Sequence, residues 1–365
     1  MAGPDDRADW LRLTLTPGIG GERQRQLLAA FGPPEAIFSA SHAALSRVIG
    51  NALATRLQQV DLAEPVAKAL TWADAVDHHL LTLDGPDYPK ALLETPDPPA
   101  LLYAKGRLDL LNRPSLAIVG SRSATPQGLA TAKAFARVLS QTGLAIVSGL
   151  ALGIDASAHE GALEDDGKTI AVVGTGADRI YPARNEKLAR EIARSGLILS
   201  EFPLGTPPAA HNFPRRNRLI AGLSRGVLVV EAALGSGSLI TARLAAEMGR
   251  EVFAVPGSIH SPLSKGCHRL IRDGAKLIET AEDVLEELNI PISHAAPQHQ
   301  DPQSAVISAD SEGSKVLSTL GFDPVEGDVL ALRCGLTTDA LYAILLTMEL
   351  DGLVARLPGG RFQRL

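Results

Sequence analysis

The sequence predicts an α/β fold, a doubly wound and mostly parallel sheet set between helical segments at both ends. Three observations carry this. Six short apolar runs between residues 114 and 256 alternate with stretches of helical periodicity. The runs are apolar at consecutive positions, as strands covered on both faces must be. Almost every run ends in small or polar residues, at the edge where open α/β sheets bind ligands.

The expected strands are Leu116–Val119, Leu144–Ser148, Thr169–Val173, Gly196–Ser200, Gly226–Glu231 and Glu251–Val255. Between them, helices are expected at Gln127–Gln141, Ile154–Asp165, Asn185–Arg194, Pro214–Leu223 and Leu239–Met248. Alternation of this kind gives an extended Rossmann-like core, placed at residues 76–290. Ahead of it, Leu80–Leu83, the proline-rich Thr95–Pro99 and Ala100–Ala104 read as an extended approach to the sheet.

Residues 1–75 read as all-helical. After a loose tail from Met1 to Arg7, helical pattern starts at Trp10 and breaks at Thr16-Pro17-Gly18-Ile19-Gly20-Gly21. Glu22–Phe31 is helical and stops at Gly32-Pro33-Pro34; Ile49-Gly50-Asn51 precedes another helix, Ala52–Gln59. Helix, Pro-Gly-Ile-Gly turn, helix resembles a helix-hairpin-helix unit, and two such units make a small SAM-like domain. Turn amides at a helix start can meet a DNA phosphate, with Arg23 and Arg25 as support. Weak duplex binding and a purely structural role both stay open.

At the other end, residues 291–313, rich in Pro, Gln, Ser, His and Ala, are expected to form a flexible linker. Residues 314–365 resemble a winged helix-turn-helix, with helices at Ser314–Leu320, Val325–Arg333 and Asp339–Asp351 and a strand at Leu353–Leu357. The expected recognition helix, Asp339–Leu350, has no basic residue, which favours protein interaction or regulation over major-groove reading.

Composition narrows the function. With 45% apolar and 21% charged residues, the chain is a globular one of more than one domain. A net charge of −6 argues against a generally basic nucleic-acid coat. The average conceals an asymmetry: residues 114–280 hold 19 Lys and Arg against 14 Asp and Glu, so the remainder carries −11. The middle therefore suits an anion. Cys267 and Cys334 make no metal spacing, and no signal peptide or 18-residue apolar run is evident, so a reducing cytoplasm is expected.

The chemistry concentrates in His211–Ser224. Arg215, Arg216 and Arg218 fall within four residues, Asn217 between the last two, just behind Phe213-Pro214. A helix is expected from Pro214, capped by Asn212, with Leu219, Ile220 and Leu223 on its apolar face and Arg218 opposite. Arg216 lies on the apolar side, in the first turn, from which it leans past the helix end. Arginines at the positive end of a helix dipole are in conflict unless an anion joins them. Ser121 and Arg122 follow the first strand, and Gly235, Ser236, Gly237 and Ser238 follow the fifth, offering amides, hydroxyls and a guanidinium to phosphate oxygens.

Other chemistries lack their signatures. There is no Gly-x-x-x-x-Gly-Lys-[Ser/Thr], and the first turn lacks Gly-x-Gly-x-x-Gly, so neither a P-loop nor a dinucleotide site is expected. Asp155 and His159, four apart, suit a catalytic or metal pair. The reading preferred here is a helix cap and an interior polar contact. No cofactor, no metal and no catalytic residue are expected.

Taken in order, the motifs resemble those of the bacterial DNA-processing DprA/Smf family. They are Val119-Gly120-Ser121-Arg122, Ser148-Gly149-Leu150-Ala151, Gly153-Ile154-Asp155 with His159, and Tyr181-Pro182 with Asn185. Ser200-Glu201-Phe202-Pro203, Phe213–Ser224, Gly235–Leu239 and Val255-Pro256-Gly257 follow, so residues 80–290 are covered densely. The resemblance implies a non-enzymatic homodimer, paired through the Rossmann-like domain, that binds single-stranded DNA, protects incoming strands in natural transformation and loads the RecA recombinase. Carried over by position, Arg122 and Arg216 are the first phosphate-binding candidates, then Arg218, Asn217, Lys265 and the loop Gly235–Ser238. Phe213 is the candidate base-stacking ring, or equally a staple into the core. Two positions depart from the family pattern: Leu152 stands where Arg or Lys is common, and His268 where Asn is usual. A second, enzymatic reading is a nucleotide-cleaving relative of the phosphoribohydrolase (lysine-decarboxylase-like) group. That group's Pro-Gly-Gly-x-Gly-Thr loop precedes a catalytic Glu, whereas Leu234–Ile240 contains no acid.

Overall fold

The computed structural model describes residues 4–164, 166–290, 312–322 and 324–365. The N-terminal helices are α1 (Pro4–Leu15), α2 (Gly21–Phe31), α3 (Pro34–Ser39), α4 (His42–Ile49), α5 (Asn51–Gln59) and α6 (Ala63–Ala73). Helix α1 therefore begins inside the stretch expected to be a loose tail. Leu27, Ile37, Leu45 and Leu57 close a small core among α2–α5. Trp10, Val66 and Ala69 pack instead on Leu101, Tyr103 and Ala177, which joins the helices to the sheet.

The sheet segment runs β1 (His78–Thr82), α7 (Lys90–Leu93), β2 (Leu101–Gly106), β3 (Ser115–Val119), α8 (Pro126–Gln141), β4 (Ala145–Ser148), α9 (Ile154–Leu163) and β5 (Thr169–Val172). It continues with α10 (Glu186–Ser195), β6 (Leu197–Ser200), α11 (Asn212–Leu223), β7 (Gly226–Val229), α12 (Ser238–Glu247) and β8 (Glu251–Ala254). Helix α13 (Lys265–Arg272), β9 (Lys276–Leu277) and α14 (Ala281–Glu287) complete it. The nine strands lie in the order β1-β2-β6-β5-β4-β3-β7-β8-β9. From β6 to β9 the pairing is parallel. The supposed approach segment instead forms two antiparallel edge strands, β1 on β2 and β2 on β6. The Pro-rich connection between the two runs concealed their pairing, although Leu101–Ala104 is apolar throughout and buried.

Alternating side chains separate the two faces. Ala117 and Val119 face the core under α11 and α12, while Leu116 and Ile118 face α8 and α9. The chain steps from β3 through β4 and β5 to β6, then returns to place β7 on the other side of β3. Loops leaving β3 and β7 therefore diverge and open a crevice at the carboxyl edge.

Of the segment expected as a linker, 291–311 lies outside the described residues, and α15 (Glu312–Leu320) already begins within its last two residues. It is followed by β10 (Val325–Glu326), α16 (Gly327–Cys334), α17 (Thr338–Leu350), β11 (Val354–Leu357) and β12 (Arg361–Arg364), a winged helix with strand order β10-β12-β11. Its β12 touches the sheet segment, where Gln363 Nε2 donates to Gln127 Oε1 at 2.9 Å. On α17, Leu346 and Leu350 are exposed, and the helix itself carries no basic residue. Among the described residues no single helix is long and apolar enough to cross a membrane.

Candidate nucleic-acid interface

The crevice between β3 and β7 holds a cavity of about 570 Å³. Ser121 and Arg122 enter from the loop after β3, Asp155 from α9, Phe213, Arg216 and Asn217 from α11, and Gly235, Ser236, Gly237 and Ser238 from the loop after β7. Nine of the twelve candidate residues thus converge. Arg215, Arg218 and Lys265 do not line the cavity.

The arginines part because of helix rotation. Successive residues turn by about 100°, so Arg215 and Arg218 share one side and Arg216 points to another. Arg216 is 4% exposed and reaches the cavity, although α11 begins at Asn212 and places it in the second turn rather than the first. Asn212 does not cap the helix; its Nδ2 donates to the Gly174 carbonyl at 3.1 Å. Arg215 donates to Glu201 Oε2 at 3.0 Å, and Arg218 pairs with the same oxygen and with the Asp97 carbonyl. Arg25 of α2 also pairs with Asp97. Arg218 therefore points into a joint with the N-terminal helices rather than away from the protein. Lys265 is exposed and donates to the Ile259 carbonyl.

Arg216 needs room that a side chain would take. A Cβ at Gly149 would lie 1.5 Å from Arg216 Nη1, so the guanidinium rests on bare backbone. That backbone is fixed from two directions. Asp155 Oδ2 accepts from the Gly149 amide at 3.1 Å and the Ala151 amide at 3.4 Å. Asn185 Nδ2 donates to the Leu150 carbonyl at 2.9 Å and the Ala151 carbonyl at 3.2 Å. Asp155 thus holds the loop after β4 instead of capping its own helix. At Gly153, φ is +79° and a Cβ would fall 2.2 Å from the Ser121 carbonyl, so only glycine brings this loop against the first. Gly149→Ala is expected to lower stability by about 1–3 kcal/mol through overpacking, read as a shifted urea midpoint.

The cavity keeps a positive balance. Arg122 and Arg216 face one carboxylate, Asp155. Burial pushes the Arg216 guanidinium down to about 10, against the pull of Asp155, so it stays charged at neutral pH. Its Nε is buried without a hydrogen-bond partner. Burial also pushes the Asp155 carboxyl up, which Arg216 and the two amides oppose. Arg122 is exposed, its guanidinium 5.5 Å from the Phe213 ring centre. Glu231, at the end of the β7 segment, accepts from the Thr125 amide at 2.9 Å and hydroxyl at 2.6 Å, fixing the start of α8. Ser236 and Ser238 share a hydroxyl contact of 2.7 Å, and Asn217 Nδ2 donates to the Gly237 carbonyl at 3.3 Å. Amides, hydroxyls and an unsatisfied guanidinium around a net positive cavity suit an oxyanion.

His159 takes no part. Its Nδ1 meets the Thr169 hydroxyl at 2.6 Å, an interior contact under β5. Asp155, in contrast, belongs to the site although the sequence reading left it out; its place after a strand-end glycine was the available signal. In the N-terminal turn, Arg23 and Arg56 donate to the Gly18 and Pro17 carbonyls, so both arginines serve the turn itself. Of the two departures, His268 Nε2 lies 2.9 Å from the Gly257 carbonyl and Leu152 is half-buried.

Fold and cavity together define a Rossmann-like protein with a positively charged crevice at its switch point. The family model described as DNA recombination-mediator protein A matches residues 79–289, and the DprA winged helix domain matches 297–360. Protein Smf of Escherichia coli is 44% identical over 301 residues, covering 81% of this chain and 80% of that protein. The crystal structure of DNA processing protein A from Streptococcus pneumoniae is 40% identical, with a TM-score of 0.69 over 79% of this chain and 99% of that one. The Helicobacter pylori counterpart, whose structure concerns its single-stranded DNA binding mode, is 38% identical, with a TM-score of 0.53 over 58% and 96%. The chain belongs to the DprA/Smf family.

Proposed function

We propose that this protein is a non-enzymatic, sequence-independent binder of single-stranded DNA that protects incoming strands and hands them to the RecA recombinase. The observation that carries the reading is the convergence of Arg122, Arg216 and the two serine loops on one positive cavity. Such a site grips a phosphate and reads no base edge. Its carboxylate supports a binding role, because Asp155 is engaged by the Gly149 and Ala151 amides and neighboured by Arg216. The single-stranded DNA binding mode of the H. pylori relative points the same way. The same reading includes cytoplasmic action as a homodimer joined through the sheet domain, with the winged helix in a regulatory or protein-contacting role.

Arg122 gives the cleanest test, since it is exposed and removing it leaves no buried charge unpaired. With fluorescent oligo-dT at low salt, Arg122→Ala is expected to weaken binding about tenfold or more. The slope of log K against log salt should shrink by about 0.7, one phosphate's share on a single strand. Unchanged affinity would remove the cavity from the strand's path. RecA hand-over is checked by the lag in RecA nucleation on the same strand, expected to shorten only with unaltered protein.

A further inference from the structure

We propose that the joint between the N-terminal helices and the sheet holds a separate oxyanion site, built for a phosphate that carries a proton: inorganic phosphate or a phosphate monoester. It stands independently of the strand-binding reading, because this cavity and the strand cavity share no lining residue.

Across α11 from the strand cavity lies a smaller one of about 110 Å³. Gly20 and Gly21 line it from the N-terminal helices, Tyr103 from β2, Glu201 from the end of β6, and Arg215 and Arg218 from α11. Gly20 and Gly21 open the eleven-residue α2, and no side chain caps it. The first amides of a helix lack partners within it, and such helix starts bind oxyanions. Gln24 Nε2 donates to the Ile19 carbonyl at 2.9 Å, which fixes the turn that brings these amides to the cavity. Two arginines against one carboxylate leave the wall with a positive charge in excess. Asp97, nearby, is paired with Arg25 and Arg218 and does not line the cavity.

Two buried atoms narrow the ligand. Tyr103 and the Glu201 side chain are each 2% exposed. The Tyr103 hydroxyl and Glu201 Oε1 have no hydrogen-bond partner among the described residues. Glu201 Oε2 already takes both arginines, so Oε1 is the oxygen left to accept. A carboxylate oxygen can only accept, and therefore calls for a donor. A phosphate bearing an O–H supplies that donor and offers its other oxygens to the amides, Arg215 and the Tyr103 hydroxyl. Sulfate is fully ionised at neutral pH and has no hydrogen to give. A phosphodiester inside a strand has none either.

The test titrates inorganic phosphate, and sulfate at equal ionic strength, into the full chain at neutral pH by calorimetry. Phosphate is expected to bind at least about tenfold more tightly than sulfate. Tyr103→Phe removes only the hydroxyl, and Arg215→Ala removes a half-exposed cation. Each should weaken phosphate about tenfold, the share of one charge-assisted hydrogen bond. Sulfate binding as tightly as phosphate overturns the proposal, as does absence of phosphate binding. A phosphate affinity that neither variant lowers places the anion elsewhere and overturns it too. Repeating the titration with saturating oligo-dT separates the two sources. If a strand with a terminal phosphate blocks inorganic phosphate and a strand without one does not, the occupant is a strand end. Phosphate binding indifferent to both strands makes the occupant free phosphate. Equal blocking by both strands puts the anion in the strand cavity and overturns the assignment.

Discussion

Glu201→Leu is expected to destabilise the protein by about 3–5 kcal/mol, the usual cost of leaving a buried partner charge alone. The Glu201 side chain is 2% exposed, and its Oε2 receives both Arg215 and Arg218. Arg215 is 50% exposed and can turn to water. Arg218, at 13%, cannot, and would keep only its contacts with Asp97. Its charge then stays in a site built for a carboxylate. Arg215→Ala is the matched control, expected to cost under about 1 kcal/mol because a half-exposed pair contributes little. Urea denaturation measures both, and a Glu201→Leu change below 1 kcal/mol would show that Asp97 alone sustains Arg218. The same joint includes Arg25, so the N-terminal helices and α11 should loosen together, visible as faster amide exchange in both.

This joint also marks how far the sequence could be read. Six of the seven strands in parallel pairing were legible to within two residues, because strands covered on both faces are apolar at every position, whereas β9, two exposed residues, was not. Helix periodicity likewise put Arg216 on the inward side of α11 and Arg218 away from it. What that pattern lacks is the identity of the element packed outside the helix. Asp97, from a Pro-rich turn, and Arg25, from the N-terminal helices, reach Arg218 only through the tertiary fold. Three arginines in four residues therefore looked like one basic cluster, yet they serve a cavity, a surface pair and a domain joint. Removing Arg216 and Arg218 together would mix lost binding with lost stability, which is why Arg122 is the better probe.

Lowering the pH should weaken the fold through His159, by about 2.5 kcal/mol at pH 4.5. The Thr169 hydroxyl donates to the Ile146 carbonyl at 2.8 Å, so it accepts from His159 Nδ1. That leaves Nε2 as the bare nitrogen, buried and without a partner. A proton there would create a charge in the core with no acceptor. Burial, with a smaller push from Arg216, accordingly holds the imidazole down to about 3, against an ordinary value of 6.5. The unfolded chain binds the proton that the folded one refuses. The penalty is therefore absent above pH 6.5, grows by about 1.36 kcal/mol per pH unit as the pH falls, and levels off near pH 3. Other carboxylates titrate in this range, so the informative quantity is the difference from His159→Asn, which keeps a donor near Thr169 but carries no titrating ring. The stability gap between the two proteins should close by about 2.5 kcal/mol between pH 7 and pH 4.5, measured from urea midpoints. A gap independent of pH would mean that the folded protein accepts the proton, and that the core around Thr169 opens to receive it.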